Sequence, residues 1–142
     1  MEIYVQSGDS LWFYSQLYNV PLTLIIQSNP NISPTQLRIG QQILIPGYEL
    51  VGYQVQPNDT LWKIATNHYI SIDALIRANP GINPNNLQIG QNLSLPNRVT
   101  DIIVEDPSNY TYVKMIRDIN RLINIYPFIR NTTIGQSILG KD

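Results

Sequence analysis

Apolar residues are set along the chain in short blocks whose spacing alternates between strand-like and helix-like. Tyr4-Val5-Gln6 and Tyr53-Gln54-Val55-Gln56 are brief runs of β-formers that end at once in turn residues, so each predicts a short strand. Leu11, Tyr14, Ser15 and Tyr18 then follow at helical spacing behind Asp9-Ser10, and Leu61, Ile64, Ala65 and Tyr69 follow behind Asp59-Thr60. In both places the polar pair offers a capping side chain to a helix whose apolar stripe faces a core. A second helix is predicted over Ser71-Ile72-Asp73-Ala74-Leu75-Ile76-Arg77-Ala78-Asn79, capped by Ser71 and stopped by Pro80. Pro21 takes the position of Ser71 in the earlier stretch, which a helix start tolerates, and Asn29 and Asn79 are the expected terminators. After loops rich in Asn and Pro, Gln42 to Ile45 and Asn92 to Leu95 predict closing strands, each ended by a proline. The order is strand, helix, helix, strand, and it occurs twice.

The two copies align without a gap. Val5-Gln6-Ser7-Gly8-Asp9-Ser10-Leu11-Trp12 returns as Val55-Gln56-Pro57-Asn58-Asp59-Thr60-Leu61-Trp62, Asn29-Pro30 as Asn79-Pro80, and Ile39-Gly40-Gln41 as Ile89-Gly90-Gln91. The period divides the 142 residues into units at 1–48 and 49–98 and a tail at 99–142. Units this small bury only a thin core and depend on well-fitted turns and caps, so many of the matching residues are expected to be structural.

Composition narrows the chemistry. Charged residues make up 13% of the chain, the formal net charge is −1, and the first fifty residues carry only Glu2, Asp9, Arg38 and Glu49 as charged groups. That balance excludes the basic footprint of nucleic-acid or anionic-membrane binding, and it suits an uncharged, hydrogen-bonding ligand such as a glycan. No cysteine is present, so disulfide and thiol chemistry are excluded. No apolar run of membrane-spanning length occurs, and Met1-Glu2-Ile3-Tyr4-Val5 has neither the basic nor the apolar region of a secretory signal; synthesis in the cytoplasm is therefore expected. The only histidine, His68, is expected at the surface; it has no counterpart in the first unit and gives Ser10 or Thr60 no partner for nucleophilic work. One His with no Cys does not anchor zinc, so neither catalytic residues nor a metal site are expected in the repeats.

Gly8-Asp9-Ser10-Leu11-Trp12, Ser28-Asn29-Pro30-Asn31-Ile32 and Leu37-Arg38-Ile39-Gly40-Gln41 in one unit, with their counterparts in the other, resemble the LysM (lysin motif) family over residues 3–97. The resemblance implies an α+β architecture of two consecutive βααβ domains that bind β-1,4-linked N-acetylglucosamine polymers, peptidoglycan or chitin. It also implies a glycan groove between two loops of each unit. In the first, Gly8, Asp9, Ser10 and Leu11 would face Pro30, Asn31 and Ile32; in the second, Asn58, Asp59, Thr60 and Leu61 would face Pro80, Gly81 and Ile82. Backbone groups and a hydroxyl would hydrogen-bond the acetamido group, while Leu and Ile would floor the sugar. Asp9 and Asp59 are expected to act first as helix caps. Trp12 and Trp62 sit one position off the stripe, where either sugar stacking or packing on the flank is open to them.

The tail departs from the repeat. Thr111 is placed to cap a helix carrying Tyr112, Ile116, Ile119, Leu122 or Ile123, and Tyr126 on one face; Pro127 ends it, and Thr132 to Ile138 predicts a strand. Tyr110-Thr111-Tyr112, Tyr126-Pro127-Phe128-Ile129 and Thr133-Ile134-Gly135-Gln136-Ser137-Ile138-Leu139-Gly140-Lys141 resemble the opening helix and strand of carboxypeptidase A-like zinc peptidases. Combined with tandem LysM units, this is similar to the γ-D-glutamyl-L-diamino acid endopeptidases of sporulating bacilli and favours peptidoglycan. The zinc ligands of that family would lie beyond Asp142, so the tail is expected to be a truncated α/β segment, without peptidase activity, zinc or another cofactor in these residues. The leading expectation is a targeting module of a cell-wall hydrolase acting at the cell wall or spore envelope. Its rivals are a reading in which these residues belong to the working peptidase, and a spore-envelope structural protein that self-associates. The apolar face of the tail helix is expected to dock on the LysM units or pair with another chain.

Overall fold

A computed structural model describes residues 1–100, 110–130 and 132. In the first unit, β1 (Glu2–Tyr4) pairs antiparallel with β2 (Gln42–Leu44), and α1 (Leu11–Tyr18) and α2 (Leu22–Ser28) lie between them in sequence. In the second, β3 (Tyr48–Gln54) pairs antiparallel with β4 (Asn92–Arg98) around α3 (Leu61–Asn67) and α4 (Ile72–Ala78). The tail contributes α5 (Tyr112–Ile125). The predicted βααβ order is present in both units.

Each helix pair covers one face of its two-stranded sheet. The alternation along β1 puts Ile3 inward while Glu2 and Tyr4 stay exposed, and Ile43 on β2 meets it from the directly opposed position. Leu11, Tyr14 and Tyr18 close this core from α1 and Ile25 from α2. The second core is built likewise from Val55, Leu61, Ile64, Leu75, Leu93 and Leu95. At about 1.5–3 kcal/mol for each fully buried aliphatic side chain, a handful of such residues is what a unit of this size has to hold it together.

Several boundaries differ from the sequence expectations. Tyr69 is not on the core face: it is 98% exposed with φ 56°, because the chain leaves the helix at His68 and Ile70 N–H turns back to Ala65 O at 3.0 Å. Asn19 makes the same left-handed exit from α1 with φ 49°. Proline does not end β4, which runs through Pro96 to Arg98 opposite β3. A two-stranded ribbon leaves one edge of each strand free, so a proline that lacks N–H is tolerated there. The connection Gly47 to Gly52 is ordered, as expected, and from Tyr48 onward it makes up most of β3.

Helix α5 starts behind the predicted cap, Thr111, whose hydroxyl accepts from Lys114 N–H. Tyr112 is exposed rather than facing inward, since it precedes the part of the helix that meets the protein; Ile116, Ile119, Leu122 and Ile123 are half-buried and Ile125 is buried. The helix end docks at the corner between the units, where Gly47 N–H donates to Ile125 O at 2.9 Å and Val99 N–H to Gly47 O at 3.0 Å. The strand expected from Thr132 to Ile138 lies outside the described residues, apart from Thr132.

Candidate functional site

The loop between β1 and α1 is a tight turn. Gly8 has φ 84°, and Asn58 takes the same left-handed region with φ 67°; an asparagine tolerates that conformation, so the turn survives the loss of glycine. Asp9 and Asp59 close these turns instead of capping the helices. Asp9 Oδ2 accepts from Gln6 N–H at 2.8 Å, and Asp59 Oδ2 from Gln56 N–H at 2.8 Å. The caps are the next residues: Ser10 Oγ accepts from Phe13 N–H at 3.0 Å and Thr60 Oγ1 from Lys63 N–H at 3.1 Å. With the hydroxyl at the N-cap, the carboxylate falls one residue outside the helix and serves the turn.

Each carboxylate also accepts from a tyrosine, from a different element in each unit. Tyr14 on α1 donates to Asp9 at 2.5 Å, whereas Tyr53 on β3 donates to Asp59 at 2.7 Å. The repeat places Ile64 at the Tyr14 position and Ile3 at the Tyr53 position, so the same bond is made from the opposite side. Burial, and then the bond to Asp9, push the Tyr14 hydroxyl well above its usual range; the bond to Asp59 comes first among the causes that raise Tyr53.

The second loop of each unit borders a cleft. In the first unit Pro30, Asn31 and Ile32 line an opening of about 270 Å³ together with Ser28, Asn29, Gln42, Leu44 and Glu2. In the second, Pro80, Gly81 and Ile82 line one of about 310 Å³ with Ala78, Asn79, Gln91, Asn92, Leu93 and Ser94. These clefts lie on the β2 and β4 side of the loops, and residues 8–11 and 58–61 do not line them. Leu11 and Leu61 are core residues, 2% and 4% exposed, so the larger apolar side chains in each cleft are instead Ile32 and Leu44 in the first unit and Ile82 and Leu93 in the second. The two loops of a unit meet through the core: Leu11 and Ile32 belong to the first cluster, Leu61 and Ile82 to the second.

Asn29 and Asn79 build the cleft walls. Asn29 Nδ2 donates to Ile25 O at 2.7 Å and Leu44 O at 2.8 Å, while its Oδ1 accepts from Leu44 N–H at 2.8 Å. Asn79 repeats all three bonds with Leu75 O, Ser94 O and Ser94 N–H. Sequence reasoning gave these residues only the role of ending helices, and it missed Gln42 and Asn92 in the clefts. The available signal was an amide side chain in both copies directly after Gly40-Gln41 and Gly90-Gln91.

Trp12 and Trp62 are each 64% exposed, so neither is packed away on a flank. His68 is exposed, with its ring edge-on to Tyr53 at 5.3 Å between centroids. Among the described residues no group of three His, Cys, Asp or Glu is placed to hold a metal ion, and no helix is long and apolar enough to cross a membrane.

The family model of the LysM domain matches residues 3–46 and again residues 53–96. The chain belongs to the LysM family. It is 58% identical, over 141 residues, to the γ-D-glutamyl-L-diamino acid endopeptidase 1 of Lysinibacillus sphaericus. That match covers 99% of this chain and 36% of the relative, so the chain spans about a third of that enzyme's length. Among solved structures, the LysM domain of a Volvox carteri chitinase is 40% identical over 34% of this chain and 98% of its own, with a TM-score of 0.33. The spore cortex-lytic enzyme SleL of Bacillus megaterium QM B1551 is 27% identical over 70% of this chain and 23% of its own, with a TM-score of 0.32.

Proposed function

We propose that the two LysM units bind the N-acetylglucosamine-containing glycan of peptidoglycan and hold a cell-wall hydrolase against its substrate. The observation that carries this reading is the recurrence, at matching positions of both units, of a cleft walled mainly by amide and apolar groups beside the Asn-Pro loop, with Glu2, which accepts from the Gln42 amide, as the one charged group at the edge of the first. Neutral hydrogen-bonding groups with one apolar wall match an acetamido sugar, whose carbonyl and N–H need partners and whose methyl and ring face need apolar contact. Pro30, Asn31 and Ile32, with Gln42, would serve the first unit; Pro80, Gly81 and Ile82, with Asn92, the second. Gly8, Asp9, Ser10 and Leu11, and likewise Asn58, Asp59, Thr60 and Leu61, shape the groove from behind, with their polar groups engaged in turn and cap.

The 58% identity to an endopeptidase supports peptidoglycan over chitin and a hydrolase as the attached activity. We also propose that the residues from 99 onward open a carboxypeptidase A-like zinc peptidase domain, in keeping with that relative. In this reading the two LysM units supply recognition, and bond cleavage belongs to the attached domain.

Co-sedimentation with purified peptidoglycan sacculi, before and after an amidase strips the stem peptides, tests the reading. Retention on stripped glycan is expected, and it should fall when Gln42→Ala and Asn92→Ala are combined. Absence of retention on either preparation, together with self-association in solution, would overturn it in favour of an assembly protein.

A further inference from the structure

Helix α4 belongs to the second unit by sequence, yet it serves both. Leu75 closes the second core, while its neighbour Ala74, 4% exposed, is part of the first. Three residues on, and so on the same face as Ala74, Arg77 reaches into the loop of the first unit. Its Nε lies 3.2 Å and its Nη2 2.8 Å from Asp9 Oδ1, and its guanidinium carbon sits 4.7 Å from the centre of the Phe13 ring. The side chains are 16% exposed for Arg77 and 1% for Asp9, so solvent and salt screen this pair far less than an ordinary surface pair. Both oxygens of Asp9 are thereby engaged.

None of this is repeated within the first unit. The positions matching Arg77, Ala74 and Phe13 are Gln27, Leu24 and Lys63, so the contact joins the units in one order only. A small residue at 74 lets the backbone of α4 approach the first core, and a planar cation at 77 uses both the carboxylate and the ring face. The tie also connects functional segments. Asp9 lies in the loop 8–11, and Arg77 stands three residues ahead of Pro80, where the cleft loop of the second unit begins.

We propose that Arg77 is a positioning residue that joins the two LysM units into one glycan-reading surface. Its pairing with Asp9 and stacking on Phe13 hold the first unit's loop in a fixed relation to the helix that leads into the second unit's cleft. The inference rests on the glycan reading above. Two units on a loose connection lose orientational freedom when the second one binds, whereas a pre-set pair does not, so the advantage exists only for a ligand long enough to touch both. A short oligosaccharide occupies one unit and is indifferent to Arg77.

The absence of cysteine allows introduced labels to report on the arrangement directly. Spin labels at Gln36→Cys and Asn85→Cys, both exposed positions, should give a narrow distance distribution in the full chain and a broad one when Arg77→Gln is added. Affinity for long glycan chains released from amidase-treated sacculi should fall about ten-fold or more in Arg77→Gln, with affinity for tri-N-acetylchitotriose unchanged. Arg77→Lys, which keeps the charge but loses the fork and the stacking plane, should fall between. Unchanged long-chain affinity in Arg77→Gln would overturn the inference, and so would equal losses for the long chain and the trisaccharide, which would mark a local folding defect. Wild-type protein that binds neither ligand would instead overturn the glycan reading itself.

Discussion

At the scale of single residues, one carboxylate position shows how a turn draws on whatever donor is near. Asp59 is held below its ordinary range, first by the N–H of Gln56 and then by the hydroxyl of Tyr53. The folded protein therefore favours the ionised carboxyl more strongly than the unfolded chain does. The resulting stability is fully present above the ordinary carboxylate value near 3.8 and is lost as pH falls through the lower, folded value. Asp59→Asn keeps one acceptor oxygen and loses the charge, so its melting temperature should lie below wild type at neutral pH and converge with it towards pH 2. Melting curves between pH 2 and 6 check this; a constant gap across that range would show that the ionisation of Asp59 contributes nothing. Asp-Ser and Asp-Thr were legible in the sequence as capping pairs, but which member caps was not, since both side chains are competent acceptors and the choice depends on where the helix begins.

At the scale of elements, the order of strands and helices was legible because apolar residues change their spacing where the backbone changes its period. The ends that were misjudged depend on distant partners. The short run from Tyr48 to Gly52 does not declare itself as a strand; those residues extend because Ser94 to Arg98 lie opposite. The asparagines that tie each second helix to its closing strand are another such case, since their partners Leu44 and Ser94 are fifteen residues away. Asn29→Ala would leave both the N–H and the C=O of Leu44 without that side chain, at a cost of about 2–3 kcal/mol by the usual penalty for buried unpaired groups. Asn79→Ala should cost less, because Asn79 is half-buried where Asn29 is buried. Asn29→Asp separates hydrogen bonding from shape: it preserves the acceptor but turns the donor into an oxygen facing two carbonyls, so it should destabilise at least as much as alanine. Chemical denaturation of the three variants orders them, and an Asp variant as stable as wild type would mean that the donated bonds to Ile25 and Leu44 contribute little.

At the scale of the whole molecule, the tail and the two units converge on Gly47. Its φ of 76° is a left-handed conformation, and a Cβ built on it would stand 3.2 Å from Tyr126 Cε1. The amphipathic face of α5 was legible as a surface needing cover, but its partner was not, because the corner that receives it forms only after β3 and β4 have paired. Gly47→Ala meets two obstacles together: the conformational cost of a side chain at positive φ, about 1–2 kcal/mol, and displacement of the Tyr126 ring by a few tenths of an ångström. The ring is movable while the strand pair is not, so the strain should be relieved by loosening α5. Amide exchange in α5 should accelerate in Gly47→Ala, with the β3 and β4 amides changing much less. Tyr126→Ala should accelerate the same α5 amides by removing the docked ring, and in the double variant the added methyl would enter space that the ring has left. The combined effect should therefore be smaller than the sum. Additive effects would mean that the glycine acts through backbone conformation alone, and α5 amides already exchanging at the unprotected rate in the wild type would mean that the Ile125–Gly47 bond does not anchor the tail. If the coupling is found, the end of α5 is held in a fixed position on the pair of LysM units, and that position is set at this corner.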